Sequence, residues 1–354
     1  METILEIPVT KTSNSKLGEV NWEKAEFGKF VSDHMFTCTY KNGEWQEPEI
    51  TPFQEIPLSP TTLALHYGQS VFEGMKAFRM EDGRVNIFRL DRHHRRLNRS
   101  LSRMCMPQIP YELFSAALLQ LVALDNEWVP GGQDVALYLR PFVFASEARM
   151  GVKVSEEYKF IIVTGPVPSL YQKPVRVKVE REYIRAAKGG TGFAKCSGNY
   201  GAAFFPTQKA KEDGFDQVLW TDAYEHEYIE ESGTMNLMFV IDGKLVTPPL
   251  SDSILDGVTR DSLLQIADML GIETEERQVS IKELLKAFEN KQITEAFGAG
   301  TAAVVAPIST IGIDDELFEL PPYSEQSIMF RLKKELEGIR TGKIKETNGW
   351  NFVV

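Results

Sequence analysis

Apolar positions along this chain shift repeatedly between the period of a strand and that of a helix. The apolar and aromatic stretch from Phe27 to Tyr40 predicts paired strands before the turn Lys41-Asn42-Gly43, a hairpin. Between Leu90 and Met104 the pattern is helical. A second helix is expected from Tyr111 to Trp128, where Leu113, Ala117, Leu121 and Leu124 recur at helical spacing. Val135 to Phe144 and Lys159 to Thr164 then read as strands, the second a buried apolar run.

The segment GPVPSLYQKP, from Gly165 to Pro174, carries three prolines and a glycine, which stiffen the backbone and withhold donors. It marks a connection. The expected organisation is a smaller N-terminal domain over 1–165, an interdomain loop over 166–174 and a larger C-terminal domain over 175–354. In the later part, strands are predicted at Val175–Glu180, Gln217–Thr221, Asn236–Ile241 and Lys244–Thr247, with helices after Asn199, Thr259, Ser280 and Ser324. Ser280-x-x-Glu283 is a capping-box signature, and Gly271 sits where a helix ending at Leu270 needs a left-handed residue. Strands and helices mix in both halves without strict alternation. That predicts an α+β, or irregular α/β, architecture rather than a doubly wound sheet.

Composition narrows the function. The 50 acidic residues outnumber the 39 basic ones, and the net charge of −11 repels polyanions and anionic membrane surfaces. Nucleic acid and membrane are therefore not expected partners, and the basic run from Arg89 to Arg99 reads as a solvated helix face. Three scattered cysteines, Cys38, Cys105 and Cys196, suit neither a disulfide framework nor a metal site. With no signal-like start and no apolar run of membrane-spanning length, a cytoplasmic protein is expected.

Four segments could carry chemistry. Gly189-Gly190-Thr191-Gly192-Phe193-Ala194-Lys195 brings one lysine along a glycine-rich approach to the helix-start signal Ser197-Gly198-Asn199. The plain alternative is a surface lysine in a loop. Glu230-Glu231-Ser232-Gly233-Thr234 places two acids before a turn; either it is solvated, or one carboxylate faces inward to pair with a ring nitrogen. Leu255-Asp256-Gly257-Val258-Thr259-Arg260 opens a helix whose first N–H groups could take a phosphate or only water. Gly298-Ala299-Gly300-Thr301-Ala302 is a small-residue turn. The segment GGTGFAKCSGNYG has neither the G-x-G-x-x-G order of a dinucleotide site nor the lysine placement of a P-loop.

In their order, LHYGQSVFEGMKAF, LYLRP, GGTGFAKCSGNYG, QVLW, ESGTMN, TPPL, ILDGVTR and FGAGTAAVV resemble the fold-type IV pyridoxal-phosphate (PLP) enzymes, most closely the branched-chain amino acid aminotransferases. The likeness runs from about Phe27 to the C-terminus. It implies the two-domain fold-type IV architecture, PLP as cofactor, reversible amino transfer between leucine, isoleucine or valine and 2-oxoglutarate, and a homodimer. By that resemblance Lys195 binds the cofactor and moves the substrate proton, as base and acid in turn. Glu231 holds the pyridinium N–H and Tyr200 reaches the phenolic oxygen. The phosphate lies on Val258 and Thr259, joined by Arg96 and Thr301. Arg96, rather than Arg89, Arg92 or Arg95, falls on the family's arginine when FEGMKAF is set in register.

The resemblance also implies a pocket lined by Phe27, Tyr67, Phe72, Tyr138, Met150 and Val152, where burying an isobutyl group contributes about 2 kcal/mol. Thr234 and Ala302 offer backbone donors to the α-carboxylate, and Arg140 with tyrosine hydroxyls receives the glutamate side chain. Either Leu170 or Tyr171 covers the substrate. Some animal members carry two cysteines after the G-T-A turn; here Ala303 and Ala306 stand there. A D-amino acid aminotransferase, an aminodeoxychorismate lyase, or a PLP- or metabolite-binding protein without turnover are the alternatives, and the N-terminal motifs disfavour the first two.

Overall fold

The turn at Asn42 and Gly43 is tight because both residues adopt positive φ, 57° and 86°. A computed structural model describes residues 5–20, 26–132, 134–167 and 173–354 of the chain. That turn joins β1 (His34–Lys41) to β2 (Glu44–Trp45), paired with Tyr40 opposite Trp45. The upstream part of the expected strand stretch forms none: Phe27–Lys29 is a turn, with Gly28 at φ 80°.

The chain divides into two units, and the first comprises Met1–Leu170, Ala194–Gly198 and Ile339–Val354. Its further strands are β3 (Glu49–Pro52), β4 (Ser70–Phe72), β5 (Met75–Arg79), β6 (Val85–Phe88), β7 (Ala136–Ala145) and β8 (Tyr158–Val167). The C-terminal strand Asn351–Val353 pairs antiparallel with β6. This is why the last residues, expected with the C-terminal domain, belong here. All the pairings are antiparallel, in the order Asn351–Val353, β6, β5, β7, β8, β1, β2, with β3 on β1 and β4 on β7.

Three helices accompany the sheet: α1 (Leu63–Tyr67), α2 (Leu90–Arg103) and α3 (Tyr111–Leu124). Leu97 and Leu101 of α2 and Phe114, Leu118 and Leu121 of α3 bury against Phe36, Val143 and Phe160 of the strands. The expected helix to Trp128 stops at Leu124 and resumes as a 3₁₀ turn over Asn126–Trp128. Asp125 lies at the break, where its carboxylate accepts from the His34 N–H at 3.1 Å and bonds His34 Nδ1 at 2.6 Å.

The second unit comprises Tyr171–Phe193 and Asn199–Gly338. Its strands are β9 (Val175–Val179), β10 (Gln217–Thr221), β11 (Ile229–Ser232), β12 (Met235–Ile241), β13 (Lys244–Thr247), β14 (Thr274–Glu276), β15 (Ile293–Gly300), β16 (Val304–Ile313) and β17 (Glu316–Glu319). They run in the order β11, β10, β9, β16, β15, β12, β13, β14, and an added β11–β12 pairing closes six of them into a ring. The β9–β10 and β9–β16 pairs are parallel and the rest of the ring is antiparallel. Mixed pairing of this kind is the α+β character expected from the pattern.

Helices α4 (Gly198–Ala202), α5 (Phe204–Glu212), α6 (Val258–Met269), α7 (Ile281–Glu289) and α8 (Ile328–Thr341) complete the chain. The Ser280 hydroxyl accepts the Glu283 N–H at 3.0 Å, and Gly271 is left-handed at φ 67°, both as read from the sequence. Leu170 and Tyr171 lie outside the described residues. Among the described residues no helix is long and apolar enough to cross a membrane, and no group of three or more His, Cys, Asp or Glu could hold a metal ion.

Candidate active site

Lys195 is fixed by its backbone. The segment Ala194–Gly198 lies along β4: the Phe72 N–H donates to the Lys195 carbonyl at 3.0 Å, the Ser197 N–H to the Ser70 carbonyl at 3.1 Å, and Val71 bridges Cys196. From the other side the Lys195 N–H donates to the Ser100 hydroxyl of α2 at 2.9 Å. The ammonium nitrogen sits 4.9 Å from the centre of the Phe72 ring. A lysine in a free loop would have none of these ties.

One helical turn before Ser100, Arg96 faces inward and is only 5% exposed. Glu73, fully buried, takes Arg96 Nε on Oε1 at 2.7 Å and Nη2 on Oε2 at 2.8 Å, while His93 Nδ1 meets Oε2 at 2.7 Å. Burial alone would raise the Glu73 carboxyl, but the Arg96 guanidinium and then His93 outweigh it and hold it well below the usual carboxylate range. Burial lowers His93, against the pull of Glu73 and with the help of Arg96 and Lys195, so its ring is neutral near pH 7 and Nδ1–H donates. The pair therefore fixes the orientation of the Arg96 guanidinium on the helix, with its charge balanced by Glu73. Of the neighbouring arginines, Arg95 is exposed and paired with Asp91, and Arg89 stacks 4.7 Å over Trp350.

Four residues expected to select the substrate form one aromatic group in this unit. Phe27 meets Tyr138 edge to face at 4.9 Å, and the Arg140 guanidinium lies 4.9 Å from the Phe72 ring and 5.2 Å from that of Tyr138. Gly74 is required beside them, because a Cβ there would fall 1.9 Å from the Tyr138 hydroxyl. Tyr67, Met150 and Val152 are exposed, with the Tyr67 hydroxyl donating to the Met150 carbonyl at 2.5 Å. Met150 is 79% and Val152 77% exposed.

In the second unit, the two-residue turn Gly233-Thr234 sets Glu231 opposite Asn236 on the rim of the ring of strands. Glu231 is 3% exposed. Its Oε1 accepts from Asn236 Nδ2 at 3.0 Å and from the Leu255 N–H at 2.8 Å, and its Oε2 pairs with Arg185 Nε at 3.0 Å. Arg185 also donates through Nη2 to the carbonyls of Gly192, at 3.1 Å, and Ser253. These charge-assisted bonds fix the carboxylate in one orientation.

The same Asn236 governs the start of α6. Its Nδ2 donates to the Leu255 carbonyl at 2.8 Å, and a Cβ on Gly257 would lie 1.8 Å from its Oδ1. Gly257 is the N-cap of α6 and has no side chain to cap it, so the first turn, Val258 and Thr259, combines its N–H groups with the positive end of the helix dipole. Asn236 pairs with Ala299 of β15, which brings the turn holding Thr301 and Ala302 to the same rim as Thr234. Tyr200 is in α4, whose Asn199 is tied to the glycine-rich loop by paired bonds with Thr191 at 2.7 and 2.8 Å. Gly192 admits no side chain: a Cβ would sit 2.7 Å from Ser253 Cα and 2.8 Å from the Asp252 carbonyl.

Each unit by itself carries groups of the kind PLP needs: the first an amine in Lys195 and a guanidinium in Arg96, the second a glycine-capped helix start and the buried carboxylate of Glu231. Sequence reasoning missed the residues that hold these groups, namely Glu73, His93, Ser100, Arg185 and Asn236. Two of them stood in quoted motifs without being singled out, Glu73 in FEGMKAF and Asn236 in ESGTMN.

The fold and these side chains define a class. Residues 70–311 match the class IV amino-transferase family, and the chain belongs to it. The chain is 46% identical to branched-chain-amino-acid transaminase 1 of Bacillus subtilis (strain 168), over 93% of this chain and 94% of that protein. It is 43% identical to the branched-chain-amino-acid aminotransferase of Mycolicibacterium smegmatis, over 92% and 90%. Among solved structures, the branched-chain aminotransferase of Thermoproteus uzoniensis with norvaline superposes with a TM-score of 0.73 at 26% identity, covering 89% of this chain and 98% of that one.

Proposed function

We propose that the protein is a PLP-dependent aminotransferase that exchanges amino groups between leucine, isoleucine or valine and 2-oxoglutarate, acting as a cytoplasmic homodimer. The observation that carries this reading is Lys195, whose peptide is bonded on both sides, to Phe72 and to Ser100, so that one amine is held against an aromatic face.

Bound PLP supplies an electron-withdrawing ring that stabilises negative charge developing at the substrate Cα. Lys195 Nζ would take the proton from that carbon as base and give it to the cofactor's C4′ as acid. Glu231 holds the ring nitrogen's proton, and Tyr200 donates to the phenolic oxygen. Arg96, the Val258 and Thr259 N–H groups and the Thr301 hydroxyl anchor the phosphate. Phe27, Phe72 and Tyr138 provide the apolar walls, and Arg140 among them receives the second carboxylate of glutamate. Thr234 and Ala302 serve the α-carboxylate. The exposed Tyr67, Met150 and Val152 are the surface a second copy would cover, which supports the homodimer.

The test is a single-turnover spectrum. L-Leucine added to the PLP-loaded protein should bleach the visible band to that of the pyridoxamine form. A preference for alanine or for a D-amino acid would overturn the substrate assignment.

A further inference from the structure

Successive side chains of a strand point to opposite faces, so Glu230 turns away from Glu231. It is among the residues that line a cavity of about 380 Å³ in the second unit, within the ~300–1,000 Å³ of small-molecule sites. Glu230 is 9% exposed. Ser253 Oγ donates to its Oε1, but Oε2 is buried and has no hydrogen-bond partner. A buried carboxylate oxygen without a donor, in a side chain that lines an open cavity, is a site for something that brings one. Asp222 lines the same cavity, yet its oxygens already accept the N–H groups of Tyr224, Glu225, Glu227 and Tyr228. Asp252 accepts from the Gly189 N–H at 3.3 Å. A ligand with N–H donors would satisfy Oε2 of Glu230. Lys188, on the exposed part of the lining, adds a cation.

We propose that this cavity binds a small free amino acid as its zwitterion, with the ammonium group on Glu230 and the carboxylate on Lys188. The site is separate from the reaction, but it is wired to it. Ser253, which holds Glu230 through its hydroxyl, receives Arg185 on its carbonyl, and Arg185 pairs with Glu231. Burial pushes Glu230 up to about 7, against Ser253 and Arg185 and with Glu231 and Asp222 adding to the rise. An ammonium pairs with the ionised form, so affinity should climb about tenfold between pH 6 and pH 8.

The experiment is calorimetric titration of the holoenzyme with glycine, methylammonium and the fully N-methylated betaine. Expected are saturable glycine binding, at least tenfold weaker methylammonium binding, and none by betaine. Glycine binding should fall tenfold or more in Glu230→Gln and in Lys188→Ala, the latter a change at an exposed position that leaves the interior intact. Equal glycine binding in both variants and the parent, or betaine binding as tightly as glycine, would overturn the proposal, as would methylammonium matching glycine. None of these outcomes depends on which amino acids the enzyme transaminates.

Discussion

The Ser100 hydroxyl accepts the Lys195 N–H at 2.9 Å and donates to the Arg96 carbonyl at 3.0 Å. One side chain of α2 thus links the residue proposed to bind the cofactor covalently to the residue proposed to anchor its phosphate. The spacing of amine and guanidinium is set by a rigid helix rather than by a loop.

Removing Glu73 strands two buried partners. Glu73→Ala leaves Arg96 uncompensated and should cost about 3–5 kcal/mol of stability, measured by chemical denaturation. Glu73→Gln keeps the shape but leaves one acceptor oxygen for Arg96 and His93, so Arg96 loses its fixed orientation, and PLP affinity, measured by fluorescence titration of the apoprotein, should fall about tenfold, the equivalent of 1.4 kcal/mol.

Acid should destabilise the protein through the same cluster. Folding depresses both Glu73 and His93, so each contributes stability above its unfolded value that is lost as the pH falls. Between pH 6.5 and 4.5 the loss at His93 is countered by Glu230, which folding raises to about 7, so the melting temperature should fall mainly below the ordinary glutamate value of 4.5. In Glu73→Gln the lower limb of that curve should flatten.

Gly257→Ala forces a methyl group against Asn236, which bonds Glu231 and the Leu255 carbonyl. Overpacking of this kind costs about 1–3 kcal/mol. Because α6 and Glu231 are disturbed together, PLP binding should weaken more than the melting temperature suggests. An equal loss at an unrelated core glycine would argue against the linkage.

Arg140→Gln separates the two substrates. Its guanidinium lies over Phe72 and Tyr138, so its loss leaves the apolar walls in place. The KM for 2-oxoglutarate should rise about 10- to 100-fold, the equivalent of one charged hydrogen bond, while the half-reaction with leucine changes little. Equal effects on both would remove Arg140 from substrate selection.

Local features were legible in the sequence because neighbours in the chain create them. The Ser280 cap, left-handed Gly271 and the Asn42-Gly43 turn each depend on a few adjacent residues. The strand at Asn351–Val353 was not legible, because its partner β6 lies more than 250 residues earlier and three residues carry no period. Nor was α1, five residues long, which is too short to show helical spacing. The same division holds at the site. Lys195 and Glu231 stand in recognisable motifs, whereas Ser100 and Arg185 gain meaning only from the residues that folding brings beside them.

The account is tested most directly by where the cofactor becomes attached. Borohydride reduction of the PLP-loaded protein, followed by proteolysis and mass spectrometry, should find the phosphopyridoxyl mass on the peptide carrying Lys195 and on no other. A label on a different lysine, or full transaminase activity in Lys195→Ala, would contradict it.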